Sequence, residues 1–300
     1  MYLLRHDQIK FCVDIDLYIK QKDEFVLYKA GFYSKDPTEH PDRKFYISGK
    51  DRNQIIHKMQ DDFSSELSSA VANKNPKEIK RLMSGMMENA LSLPEPEVLN
   101  GIKQPFTQFV DMVIDYPDII KKILKLAANK YSTIEHSFNV AALALNYCME
   151  SPHLEHDCFG DYAMAGLFHD IGKSAISSEI LDSPNKLSQE EYQKIQQHPT
   201  IGVKLLQAAG FSDSILQGAL EHHLKMDGSG YPSDSKPTGE IGKLIGIADT
   251  YEALTNSNRV YRKPMNPIQT LELIKVEVED GKYDEDIFRN FVKSLLDKNI

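Results

Sequence analysis

The tetrapeptide Leu93-Pro94-Glu95-Pro96 constrains this chain more than any other stretch. Each proline lacks an N–H and restricts the residue before it, so no helix runs through the pair. Strand patterns lie on its N-terminal side, and almost none follow it. The expected organisation is therefore α+β overall, with a small α+β domain over 1–95 and an all-helical domain over 96–300.

On the N-terminal side FCVDIDLYIK alternates, with Phe11, Val13, Ile15, Leu17 and Ile19 on one face. That is the period of a half-buried strand. FVLYKAGFY and RKFYISG supply two more strands, separated by the turn-rich KDPTEHPD. From Asp51 the pattern turns helical, and Pro76 suits the first turn of a second helix. Met83, Met86 and Met87 form a core or interface stripe on it. Asp14 and Asp16 fall inside the alternating strand, which argues against a phosphoreceiver. No motif there assigns a chemistry, and a regulatory role is the expectation.

Beyond Pro96, His136–Met149 is apolar around most of its circumference and reads as a central buried helix. Asp161–His169 is a second. Ser188 with Glu191 makes a capping box that opens a third. Pro199 restarts a helix, Ser212 caps another that ends at His222-His223, and Glu240–Asn256 carries Asp249 at the edge of an apolar stripe. Lys plus Arg is 35 against 44 Asp plus Glu, a net charge of −9, which disfavours bulk nucleic-acid binding. Three scattered cysteines without a CxxC fit a reduced cytoplasm, and no apolar run is long enough to span a membrane.

Five of the ten histidines, His136, His169, His198, His222 and His223, fall at or near expected helix termini. Asp170 follows one of them and Asp249 adds a further carboxylate. Imidazole and carboxylate without thiolate suit iron, manganese or another borderline metal better than a structural zinc knot. A carboxylate has two oxygens, so an Asp beside a ligating His is a natural pivot between two cations.

The order of these motifs resembles the HD-GYP family of HD phosphohydrolases. The matching pieces are His136, HDIGK at 169–173, HPTIG at 198–202, HHLKMDGSGYP at 222–232, IADTYEAL at 247–254 and RVYR at 259–262. The resemblance covers about 130–300 and implies a helical bundle around a metal centre of two or three ions. The implied activity is hydrolysis of the bacterial second messenger cyclic di-GMP to pGpG and often GMP, through a hydroxide held between two metals. Position by position it implies metal ligation by His136, His169, Asp170, His198, His222, His223 and Asp249, with Asp170 bridging. It places Lys173 near the scissile phosphate, where a cation neutralises developing charge, and gives Arg259 and Arg262 phosphate contacts. It also attaches the GYP surface to GGDEF-domain partners. In DGSGYP, glycines permit positive φ and close backbone approach, so Gly230 and Tyr231 are expected against the ligand, or else the loop is a tight structural turn.

Two positions depart from the family pattern. Leu224 stands where Glu commonly follows the paired histidines, and Glu252 stands where Asp is usual. The resemblance implies that members with a third metal hold it with an extra Glu one turn before the residue matching His136. That position is Ser132, and the neighbouring Glu135 projects about 100° away, so two ions, most readily iron, are expected. His153, His156 and Cys158 look metal-like in composition but read as a polar loop. The alternatives to a cyclic di-GMP phosphodiesterase are an HD-type hydrolase of another cyclic dinucleotide, such as cyclic GMP-AMP, and a feeble dinucleotide-binding or GGDEF-interacting signalling protein.

Overall fold

Asp14 breaks the alternation of FCVDIDLYIK by adopting φ 65°, a conformation that Asp tolerates better than most residues. In the computed structural model, His6–Phe11 is a 3₁₀ turn and the strand starts only at Leu17. The structure describes residues 1–4, 6–12, 14–29, 44–124, 133–181, 183, 185–232, 235–256 and 264–296. Val13 therefore lies outside the described residues. Ile15 and Leu17 are buried as expected, but Cys12 joins them in the core while Phe11 and Ile19 sit at its margin.

Four strands, β1 (Tyr2–Leu3), β2 (Leu17–Gln21), β3 (Glu24–Lys29) and β4 (Tyr46–Ile47), form an antiparallel sheet in the order β1-β4-β2-β3. Lys22 at φ 55° opens the two-residue turn between β2 and β3, where such backbone matches strand twist. Leu4, Ile9, Phe45, Ile47 and Ile55 complete the core of this unit.

Packing divides the chain into Met1–Glu66 and Leu67–Ile300, earlier than the expected boundary at Pro96. The division falls within α1 (Gly49–Ala72). The reason lies in α2 (Pro76–Ser92), whose buried stripe contains Ile79, Leu82, Met83, Met86, Met87 and Ala90. That stripe packs on the helices Asp118–Leu124 and Thr133–Met149, so α2 belongs with the helices that follow. Asn75 starts α2 by accepting a hydrogen bond from the Glu78 N–H at 3.2 Å, a cap that contributes about 1 kcal/mol.

The remaining helices are α3 (Pro96–Asn100), α4 (Lys103–Asp115), α5 (Asp118–Leu124), α6 (Thr133–Met149), α7 (His156–Phe168), α8 (Ser178–Leu181) and α9 (Gln189–Ile195). They continue with α10 (His198–Ala208), α11 (Asp213–Glu221), α12 (Glu240–Thr255), α13 (Pro267–Glu279) and α14 (Glu285–Leu296). No strand occurs among the described residues after Ile47, as expected for a helical second unit. In α6 every residue from His136 to Cys148 except Asn139 is buried, so it is the central helix. Each fully buried large apolar side chain there contributes about 1.5–3 kcal/mol.

Three connections set the helix ends that matter. Ser188 and Glu191 close the expected capping box at α9. Ser212 occupies the N-cap of α11, but its hydroxyl donates to Asp161 at 3.0 Å instead of capping. At the end of α11 the buried Glu221 carboxylate accepts from the Thr238 and Gly239 N–H groups, at 3.1 and 3.3 Å. A carboxylate there satisfies donors at the positive end of α12 and ties α11 to it. No described helix is long and apolar enough to cross a membrane.

Candidate metal centre

Five helix ends or edges converge on one buried cluster. His136 lies in the first turn of α6, and His169 and Asp170 follow α7. His198 opens α10, His222 and His223 follow α11, and Asp249 comes from α12. His136, His169, Asp170, His198 and His222 are each at most 1% exposed. The structure thus brings together all seven side chains expected to hold metal.

They sort into two groups. Ligand atoms of Asp170, His198, His222 and His223 lie within 4.8 Å of one another, and so do those of His136, His169 and Asp249. Asp170 faces both. Its Oδ1 is 3.1 Å from His198 Nε2, while its Oδ2 is 3.4 Å from His169 Nε2 and 3.7 Å from His136 Nε2. Asp249 spans the groups as well, with Oδ1 3.0 Å from His136 Nε2 and Oδ2 3.9 Å from His223 Nδ1.

Hydrogen bonds at the rear of the rings decide which nitrogen faces inward. The Nδ1–H groups of His169, His198 and His222 donate to the carbonyls of Gly166, Ile195 and Ala219, at 2.7, 2.7 and 2.9 Å. In each case the acceptor is three residues earlier. With Nδ1 protonated, each Nε2 presents its lone pair to the centre. His198 Nε2 and His222 Nε2 are then 3.1 Å apart, and His169 Nε2 and His136 Nε2 3.2 Å. Buried lone pairs facing each other and carboxylate oxygens at these distances suit a shared cation. The donor set therefore fits divalent metal ions, and its atoms are of the borderline type that iron, manganese or zinc accept.

The electrostatics agree. Burial opposes ionisation of Asp170, but Lys173, His169 and His198 outweigh it and hold the carboxyl well below its usual range. Asp249 behaves likewise, burial being overcome by His136, His169 and His223. Burial lowers His223 to about 3. Burial, joined by the neighbouring histidines, also holds His222 well below its ordinary value. Both are thus neutral, as metal ligation requires. His136 is the exception: burial alone would lower it too, but Asp249 and Glu252 raise it to about 9, so it carries a proton that a bound cation would have to displace.

Glu252 is the positioning group for His136. Its Oε2 accepts from His136 Nδ1–H, and its Oε1 accepts from Asn139 and Asn256 amides at 2.8 and 2.6 Å. A buried carboxylate with three donors locks the His136 ring with Nε2 inward. In sequence Glu252 stands out only as a departure from the family pattern, and no motif marks either asparagine. Their signal was spacing, since Asn139 lies three residues after His136 and Asn256 four after Glu252, on shared helix faces. Glu252→Leu is expected to weaken Mn(II) binding on the His136 side about 10–100-fold. Calorimetric titration of chelated protein checks this, and unchanged affinity would remove the role.

The other expected residues fall out as follows. Lys173 Nζ pairs with Asp170 Oδ2 at 2.5 Å, at the edge of the centre. Gly230 and Tyr231 pack on the His223 segment. Arg259 and Arg262 lie outside the described residues, as does Ser132. Glu135 is engaged by Lys80 at 2.8 Å on α2 and belongs to neither metal group. His153 turns to Glu240 at 3.0 Å, and the Cys158 thiol donates to the Glu155 carbonyl, so that stretch does not gather a metal set.

Comparison with known proteins agrees with this geometry. A Pseudomonas aeruginosa protein named as a cyclic di-GMP phosphodiesterase is 30% identical over 186 residues, 61% of this chain and 44% of its own. A Vibrio cholerae protein named 3'3'-cGAMP-specific phosphodiesterase 1 is 31% identical over 200 residues, 65% of this chain and 46% of its own. The chain thus spans about half the length of the curated relatives it matches. A solved structure described as an HDG"Y"P protein from Bdellovibrio bacteriovorus aligns over 98% of each chain with a TM-score of 0.62. Its identity is 15%, so that likeness shows the fold alone. The HD domain pattern matches residues 118–287, which contain every ligand described above, and the chain belongs to the HD-domain family.

Proposed function

We propose that this chain is a metal-dependent phosphodiesterase that hydrolyses cyclic di-GMP to pGpG, GMP or both. The observation that carries the reading is the paired histidine groups with Asp170 turning one oxygen to each. In this reading His136, His169 and Asp249 hold one ion, and His198, His222 and His223 a second, with Asp170 shared. Two such ions, most readily iron with manganese an alternative, supply Lewis-acid stabilisation of phosphate oxygens and lower the pKa of water. Glu135 is committed to Lys80, which supports two ions per chain.

The chain's own residues do the rest. Asp170 and Asp249 keep negative charge at the centre and so favour cations there. Lys173, 23% exposed in its side chain, sits between Asp170 and solvent, where its ammonium meets an incoming phosphate. Arg259 and Arg262 complete the anion grip, since a guanidinium fork matches phosphate oxygens. Arg259→Ala and Arg262→Ala are each expected to raise KM with metal content unchanged, by the roughly 1.5–3 kcal/mol of a charge-assisted contact. Metal analysis beside steady-state kinetics checks this, and metal loss at constant KM would overturn the assignment.

The cGAMP-specific relative favours a second substrate reading, hydrolysis of 3'3'-cGAMP by the same centre. Further parts of the proposal are a bacterial cytoplasmic setting, a regulatory role for the N-terminal unit, and docking of GGDEF-domain proteins at the exposed Asp227 and Ser229 of the GYP loop. The deciding experiment is anaerobic incubation of Fe(II)- or Mn(II)-loaded protein with each dinucleotide, products being resolved by chromatography and metals by elemental analysis. Linear products and two metals per chain are expected. Intact dinucleotides at full metal loading would overturn the enzymatic reading.

A further inference from the structure

His223 is held differently from the other metal-holding histidines. His136 leans on Glu252, and His169, His198 and His222 each donate Nδ1–H to a carbonyl. Among the described residues His223 makes no comparable bond, and its nearest carboxylate oxygen, from Asp249, is 3.9 Å away. Leu224, which follows His223 directly, is buried and offers no polar group. What touches the His223 ring is other rings. Tyr231 lies over it at 4.5 Å between centroids and 32° between planes, His222 at 4.1 Å and 45°, and His198 at 5.1 Å and 87°.

The loop that delivers Tyr231 is itself pressed onto the backbone of this histidine. The Tyr231 N–H donates to the His223 carbonyl at 3.3 Å. A Cβ on Gly230 would lie 2.1 Å from that carbonyl oxygen, 2.7 Å from Leu224 Cα and 2.8 Å from Lys225 N. Only glycine fits so close an approach. The loop's other half is equally constrained. Gly228 turns at φ 84°, Asp227 Oδ1 accepts from the Ser229 N–H at 2.9 Å, and the Met226 N–H donates to the Lys282 carbonyl at 2.9 Å.

We propose that Gly230 and Tyr231 are positioning residues for His223 and make no contact with substrate. The inference rests on the metal-centre reading above. A flat phenol against a flat imidazole restricts rotation of the imidazole about its own bond, which is the service a hydrogen bond performs for the other ligands. Losing it should weaken the ion held with His198 and His222 about 10–100-fold, as loss of other orienting partners does. The ion held by His136, His169 and Asp249 should be unaffected.

The test is calorimetric titration of the chelated full-length chain with Mn(II) alone, run on the parent, Tyr231→Leu, Tyr231→Phe and Gly230→Ala. Each metal-saturated protein is then assayed for its KM toward cyclic di-GMP. The parent should bind two ions. Tyr231→Leu and Gly230→Ala should each lose affinity at one site only, Tyr231→Phe should bind as the parent does, and KM should stay constant throughout. Gly230→Ala reads the same site if Tyr231→Leu fails to fold. Two ions at parental affinity in Tyr231→Leu, with a raised KM, would overturn the inference and return Tyr231 to the substrate. A parent that takes up no Mn(II) would instead overturn the metal-centre reading on which it stands.

Discussion

On the proposed reading, Asp170→Asn is expected to fold and to lose phosphodiesterase turnover by on the order of 10²–10³-fold or more, the scale on which enzymes suffer when charge stabilisation at the reacting centre goes. The carboxylate presents Oδ1 to His198 and Oδ2 to His169 and His136, with Lys173 also on Oδ2. An amide keeps one oxygen and turns an NH₂ group, which cannot ligate a cation, toward the other side. Folding should survive, because a neutral amide is cheaper to bury than an ion. Circular dichroism, metal analysis and turnover are measured together. Turnover within about tenfold of the parent at two metals per chain would remove the shared-carboxylate assignment.

Gly172→Ala is expected to act through packing. Its Cβ would come to 2.0 Å from the His198 carbonyl oxygen and 2.7 Å from Gly202 N, all of them backbone atoms with nowhere to go. Forcing a methyl group into such a contact costs about 1–3 kcal/mol or more. The only relief is to part the turn Ile171–Ala175 from the start of α10, which moves Asp170 away from His198. Thermal melts should therefore show a destabilised protein, and the variant should bind metal poorly even where it remains folded. A melting temperature equal to the parent's would show that the turn and α10 have more room than the structure gives them.

The helical unit was legible because its signals are local. The capping box at Ser188, the restart at Pro199 and the apolar circumference of α6 act within a few residues of where they are written. The side chains of the buried His/Asp cluster were legible for a related reason: most sit at helix ends, and their order along the chain is itself a pattern. What could not be read depended on distant partners. Asp14 accepts a left-handed backbone that alternation gives no hint of. The methionine stripe of α2 looks the same in sequence whether it meets a sheet or a helix, so the boundary shifted. DGSGYP reveals a tight loop, but only the structure shows that its tyrosine faces a histidine eight residues earlier.

The carbonyls that orient His169, His198 and His222 belong to Gly166, Ile195 and Ala219, in the last turns of α7, α9 and α11. Carbonyls there have no partner within their own helix, and imidazole supplies one. Three helix termini are therefore fastened by the same rings that face the proposed metal centre, and any ligand that binds only this arrangement stabilises it by mass action. On the proposed reading, metal loading then sets local order as well as activity. If the centre holds metal as proposed, chelation would loosen the ends of three helices together, and a protease would cut the stripped chain at sites that the loaded chain protects.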